Sequence, residues 1–138
     1  MTGIIYDWKS GVKRDEVKDL YEDAGWSLYL ADFDRTMRAI KKSLSIVTAR
    51  IDGKLIGFLR AVGDGETILY IQDIIVMQEY RRLGVGLKLL EVTLERYQNV
   101  RQVVLLADDQ TITREFYQAN NFKESREMNL LCFVKFQS

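Results

Sequence analysis

Ile71-Gln72-Asp73-Ile74-Ile75-Val76-Met77-Gln78-Glu79-Tyr80-Arg81-Arg82-Leu83-Gly84-Val85-Gly86-Leu87-Lys88 is the stretch on which the fold turns. Its first half is apolar and β-branched around Gln72 and Asp73, which reads as a strand. Leu87, Leu90, Leu94 and Tyr97 then recur at helical spacing, so a helix begins near Gly86. Two glycines in the first turn of a helix let a ligand come close to the backbone. The free N–H groups there, with the positive end of the helix dipole, suit a phosphate. Arg81 and Arg82 add positive charge. The same glycines would also serve a bare strand-to-helix turn. Two other phosphate motifs do not fit: the dinucleotide fingerprint needs a small residue where Leu89 stands, and the nucleoside-triphosphate loop needs Lys-Ser or Lys-Thr after its last glycine.

Upstream, residues 45–77 carry a β pattern broken by Asp52-Gly53 and by Gly63-Asp64-Gly65. Asp-Gly between apolar runs is a strong hairpin signal, so three antiparallel strands in a meander are expected. Downstream, Val103-Val104-Leu105-Leu106 reads as a short buried strand. Strand, helix and strand over about 67–106 then form a parallel, right-handed crossover. Thr111 to Ala119 reads as a helix, and Met128 to Phe136 as a closing β segment with Leu130, Cys132 and Val134 in alternation. Toward the N-terminus, Val17, Leu20 and Tyr21 make one stripe of a helix over 13–24 that Gly25 stops. Asp32 is a good N-cap for a second helix through Met37, Ile40 and Lys41. Between them, Gly25 to Leu30 is an aromatic connector, unusually apolar for a loop. The expected class is α+β: a single domain over 1–138 with a central mixed, mostly antiparallel sheet flanked by helices.

The chain has 138 residues, 47% of them hydrophobic and 29% charged, which is globular rather than disordered or fibrous. Twenty Lys+Arg balance twenty Asp+Glu, so the electrostatic footprint of a nucleic-acid binder is missing. No apolar run is long enough to span a bilayer, and the first residues lack the pattern of a signal peptide. The lone Cys132 cannot make an internal disulfide and, alternating with apolar neighbours, is expected in the core; a reducing cytoplasm is the expected setting. The absence of histidine removes Ser-His-Asp and Cys-His nucleophile systems, His general bases and His-assisted zinc sites. One cysteine cannot build a four-thiolate zinc site, and no metal is expected.

Arg81-x-x-Gly84-x-Gly86 resembles the acyl-CoA pyrophosphate loop of the GCN5-related N-acetyltransferase (GNAT) family, Q/R-x-x-G-x-G/A. The strand Ile71–Val76 looks like that family's fourth strand. Phe116-Tyr117-Gln118-Ala119-Asn120-Asn121-Phe122 is similar to its F-Y-x-x-x-G-F segment, with Asn121 where glycine is usual. Asn is the next most tolerant residue of the left-handed conformation that such a glycine adopts.

The resemblance implies α/β/α layers and a parallel strand pair that splays apart. It also implies an acetyl group passed from acetyl-CoA to the primary amine of a small molecule or peptide, by direct attack in a ternary complex. Backbone groups of Ile74, Ile75 and Val76 would hold the pantetheine and thioester, and Arg81, Arg82, Leu83, Gly84, Val85, Gly86 and Leu87 the diphosphate. Gln110 stands where many members carry a cofactor-contacting Asn. Tyr117 is the implied acid for the departing thiolate, its reference pKa near 10 matching an alkyl thiol.

Asp73, the only acid inside its strand, would be a base or substrate anchor; among apolar neighbours it could equally serve structural hydrogen bonding. Trp26 and Tyr29 fall in the segment that usually roofs the acceptor, where aromatics can cage an amine, form a lid or make a dimer contact. Family habit favours a homodimer. The competing reading is a non-catalytic acyl-CoA-binding or protein-interaction module with the same fold.

Overall fold

The computed structural model describes residues 3–137, which divide into two compact units between Leu105 and Leu106. The first holds a five-stranded sheet of β1 (Ile4–Asp7), β2 (Ser45–Ile51), β3 (Lys54–Gly63), β4 (Ile68–Val76) and β5 (Gln102–Leu105). They lie in that spatial order, antiparallel throughout except for the parallel β4–β5 pair. The helices of this unit are α1 (Arg14–Ala24), α2 (Ser27–Ala31), α3 (Phe33–Lys41) and α4 (Val85–Arg96).

Local chemistry fixes the turns. Asp52 and Gly53 both take positive φ, 50° and 81°, the backbone twist that a two-residue hairpin requires. Asp64 folds the next turn by accepting from the amides of Glu66, Thr67 and Ile68 and from the Thr67 hydroxyl. Gly25 ends α1 in the left-handed conformation, and the Asp32 side chain caps α3 by accepting from the Arg35 amide.

The β4 side chains sort onto two faces. Leu69, Ile71, Asp73 and Ile75 are buried, and the residues between them are less so. Phe58, opposite Ile75 in the register, meets Tyr21 of α1 edge-on, so α1 covers the Asp73 face. A β-carbon at Gly86 would touch Ile74 and Val76, which puts α4 on the other face. Helix, sheet and helix therefore form three layers. Val17, Leu20, Tyr21, Val47, Phe58, Leu59, Leu69, Ile75, Leu89 and Leu90 fill the core between them; each such side chain taken fully from water contributes about 1.5–3 kcal/mol.

Several details depart from the sequence reading. Ile4–Asp7 forms an additional edge strand, and the aromatic connector winds a short helix at Ser27–Ala31. α4 buries Val85, Leu89, Leu90 and Thr93; Leu87, Leu94 and Tyr97 are only partly covered. β5 is half-buried rather than buried, and Leu106 falls outside it.

The second unit contains α5 (Thr111–Ala119) and a single 3-10 turn at Ser125–Met128. Met128 to Phe136 makes no strand, and Cys132 is exposed rather than in the core. Alternation made that segment strand-capable, but a strand also needs a paired edge, and among the described residues it has none. No helix of the described residues is long and apolar enough to cross a membrane.

Candidate acyl-CoA and acceptor site

The parallel ladder joins Ile68, Leu69, Tyr70 and Ile71 of β4 to Gln102, Val103, Val104 and Leu105, and stops there. β4 runs on to Val76, so its last five residues, Gln72 to Val76, have no β5 neighbour, while Asp73 to Val76 still pair with β3 on their other side. The two parallel strands are thus open at the C-terminal end of β4, where Ile74 and Ile75 lie. The Val76 carbonyl is engaged, accepting from Arg81 Nε at 3.1 Å.

The chain leaves β4 through a 3-10 turn at Gln78–Tyr80, tied to the end of α1: the Gln78 amide donates to Asp23 Oδ2 at 2.8 Å, and its side-chain amide to the Asp23 carbonyl. Arg82 and Gly84 both adopt positive φ, 66° and 80°, turning the backbone sharply into α4. Gly84 is the N-cap and offers no side chain to the first turn. The first intrahelical donor to it is Lys88, which leaves the amides of Val85, Gly86 and Leu87 without helical partners. A β-carbon at Gly84 would meet open space, so the backbone there is approachable; Arg81, Arg82 and Leu83 are exposed around it. These are the properties of an anion cradle.

On the Asp73 face the structure brings together Trp26, Tyr29 and Asp73. Tyr21 stacks with Trp26 and Tyr29 at ring-centroid distances of 5.7 and 5.2 Å, and Trp26 lies tilted to Tyr29 at 5.8 Å. The Tyr29 hydroxyl donates to Asp73 Oδ1 at 2.8 Å and accepts from Gln72 Nε2 at 3.2 Å. Gln72 is the extra residue of a β-bulge, since Arg60 pairs with Asp73 and Ala61 with Ile71. Arg60 Nε donates to Asp73 Oδ2 at 2.9 Å, and its Nη1 to Ser43 Oγ at 3.2 Å. Asp73 is 4% exposed and Arg60 7%, so the carboxylate of the sequence reading is paired, both oxygens engaged, rather than isolated.

Burial works against the charge on Arg60, but the bond to and charge of Asp73, with Tyr29, outweigh it and hold the guanidinium protonated. The Tyr29 phenol is pushed up, by burial first and then by the Asp73 charge, against the Gln72 hydrogen bond. Tyr21 is raised further, by burial and then by Asp73 and Tyr29 against Arg60; its hydroxyl is buried with no hydrogen-bond partner among the described residues.

Arg60 escaped the sequence reading, which placed Tyr21 on a helix stripe and Gln72 in the strand without giving either a part in the site. Arg60 carried a usable signal, because it is the only charge inside the apolar run Leu55–Val62 and a buried cation there needs a carboxylate.

Within the second unit, Gln110 is the exposed N-cap of α5 and makes no side-chain cap bond. Tyr117 packs edge-on against Phe116 and Phe122, at 5.0 and 5.6 Å, and burial, then the Asp108 charge, raises its phenol above the ordinary value. Asn121 takes φ 69°, the left-handed position that glycine usually fills, and the amides of Asn121 and Phe122 donate back to Gln118 and Tyr117 to close the helix. Among the described residues no cluster of His, Cys, Asp and Glu could hold a metal ion.

Solved structures share this architecture. A GNAT-family acetyltransferase from Streptococcus pneumoniae superposes with a TM-score of 0.84 at 26% identity, covering 97% of this chain and 98% of that one. An aminoglycoside acetyltransferase from an uncultured soil metagenomic sample, solved with sisomicin, has a TM-score of 0.65 at 16% identity, covering 99% and 97%. Ard1 from Thermoplasma volcanium has a TM-score of 0.66 at 20% identity, covering 88% and 84%. The last two likenesses are of fold alone. No curated protein matches the sequence. The model of the acetyltransferase (GNAT) family matches residues 6–122, and the chain belongs to that family.

Proposed function

We propose that the chain is an N-acetyltransferase that moves an acetyl group from acetyl-CoA to the primary amine of a small molecule or peptide, a single N-acetyltransferase domain over 1–138. The observation that carries this reading is the opening of the β4–β5 pair beyond Ile71, followed directly by the unpartnered amides at the start of α4. Amides of Val85, Gly86 and Leu87, with Arg81 and Arg82, would hold the diphosphate, and the free edge of β4 over Ile74, Ile75 and Val76 the pantetheine arm. The Val76 carbonyl also accepts from Arg81 Nε, which steadies the loop.

Acetyl-CoA supplies an activated acyl carbon: the amine nitrogen bonds to it, the C–S bond breaks, and the products are an N-acetyl amine and CoA thiol. The departing sulfur needs one proton, which Tyr117 would supply, its raised pKa keeping it protonated at neutral pH; the proton that the nitrogen sheds on forming the amide passes to solvent, from which the phenolate regains one. Of the roles open to Asp73, the hydrogen bonds it accepts from Tyr29 and Arg60 favour an anchor that fixes Tyr29 beside the acceptor over a free base. Trp26 and Tyr29 would face the acceptor amine by cation–π attraction. The aminoglycoside acceptor of one structural relative is in keeping with an amine substrate of this kind.

The exposed apolar side chains of Leu131, Phe133 and Phe136 at 62%, 87% and 88% favour a homodimer that covers them, which light scattering of the chain against Phe133→Ser/Phe136→Ser would test. The activity itself is tested by following thiol release from acetyl-CoA across an amine panel. Amine-dependent release is expected, whereas tight CoA binding with no turnover on any amine would favour the binding-module reading.

A further inference from the structure

A cavity of about 700 Å³ opens where β2 begins, among Trp8, Lys9, Arg14, Arg38, Lys41 and Arg96. It is remote from the acyl-CoA loop. Arg96 is the last residue of α4 and the loop precedes the first, so the helix's rise of 1.5 Å per residue sets them about 17 Å apart. In the sheet, Ser45 at the cavity pairs with Ala61 near the end of β3, while Val76 before the loop pairs with Gly57 near its start.

Five cations line this cavity against one acid, Asp34, and Arg14 already holds that acid at 2.7 Å. In a chain of zero net charge this is a local concentration of positive potential. Arg96 is fixed in place, its guanidinium 5.4 Å from the Trp8 ring centroid and its Nη1 donating to Ser45 Oγ at 3.3 Å; the Lys9 ammonium stands 5.9 Å from the same ring. Arg38 and Lys41, one turn apart on α3, are exposed and have no ion-pair partner among the described residues. Beneath the charges the wall is apolar, with Val12, Met37 and Ile46 alongside the half-exposed indole of Trp8.

The geometry points to a second binding site, for a small organic anion with an apolar, ring-bearing body whose carboxylate or phosphate meets Arg38, Lys41 and Arg96 while the body packs on Trp8. The volume lies in the range of small-molecule pockets, far beyond what a bare inorganic anion fills. Free cations at the rim supply the charge-assisted bonds that fix the acid group, and a pre-stacked Arg96 loses little freedom on binding.

The test is calorimetric titration of the full chain with 2-naphthoate, 2-naphthyl phosphate and the neutral 2-naphthamide. One or both anions should bind at a single site, the tighter identifying the preferred acid group, with the amide about tenfold weaker or absent. Arg38→Gln/Lys41→Gln should weaken the anion about tenfold without changing the melting temperature, and Trp8→Leu should weaken all three probes. Saturating CoA and Gly84→Asp should leave naphthoate binding as it was, so that this site and the acyl-CoA reading fail separately. Equal affinity for amide and anions, indifference to the Arg38/Lys41 change, or displacement by CoA would each overturn the proposal.

Discussion

Arg60 and Asp73 face each other across the β3–β4 ladder as a buried ion pair, Nε to Oδ2 at 2.9 Å, on the same face as the aromatic cluster of Tyr21, Trp26 and Tyr29. A buried pair of this kind contributes little net stability, because desolvation offsets the attraction. Removing one member strands the other charge. The pair is the base of a chain of contacts, Ser43 to Arg60 to Asp73 to Tyr29, that fixes one phenol at the candidate acceptor site.

Arg60→Ala is therefore expected to cost about 3 kcal/mol in chemical denaturation. Asp73→Asn keeps the shape and removes the charge. Under the anchor reading it should raise KM for the amine more than it lowers kcat, leaving the acid limb of the pH–rate profile where it was. Loss of that limb would make Asp73 the base.

The two loop glycines should respond differently to alanine. A β-carbon at Gly86 meets only Ile74 and Val76 side-chain carbons at 3.8 and 4.0 Å, ordinary contact, so Gly86→Ala should retain CoA affinity within about threefold. Gly84 sits at φ 80°, where a side chain is strained by about 1 kcal/mol. Gly84→Asp also sets a negative charge against the diphosphate and should abolish CoA binding in a titration. Unchanged affinity would remove the loop from the site.

Tyr21 gives a stability prediction of opposite sign to most core changes. Its hydroxyl is buried without a partner, so Tyr21→Phe, which keeps the stacked ring, should raise stability by about 1 kcal/mol at neutral pH. The folded-state pKa of this phenol lies above the unfolded value near 10. Its contribution is therefore fully present below pH 10 and lost as pH rises through the folded value, because the unfolded chain ionises first. Melting curves from pH 8 to 11 should fall more steeply in the parent than in Tyr21→Phe.

Tyr117 carries the proton in the proposed reaction, and its raised pKa places any loss of that proton above pH 10. No alkaline limb from this group should appear in kcat below that pH, and Tyr117→Phe should lower kcat more than it raises KM. Equal activity of Tyr117→Phe would remove it from the mechanism.

The meander, the crossover and the glycine loop were legible in the sequence because each depends on local chemistry: Asp52-Gly53 supplies positive φ, and Gly84 caps a helix with no side chain. The opening of β4 from β5 was expected from family resemblance alone, since it is a matter of how far two strands pair and not of residue type. The Arg60–Asp73 pair and the Tyr29 contact were not read because they join residues 13 and 44 positions apart. Ile4–Asp7 is four residues long and half-covered, too short for alternation to register, whereas Met128–Phe136 alternates well and yet finds no edge to pair with.

In the proposed function, main-chain amides at the start of α4 hold a diphosphate beside the free edge of β4. Amide chemical shifts in the ¹⁵N-labelled chain, titrated with CoA and then with pantetheine, which lacks the diphosphate, test it most directly. Gly84, Val85, Gly86 and Leu87 should shift with CoA and stay put with pantetheine, while Ile74 and Ile75 respond to both. CoA-induced shifts that spare residues 84–87 would contradict the account.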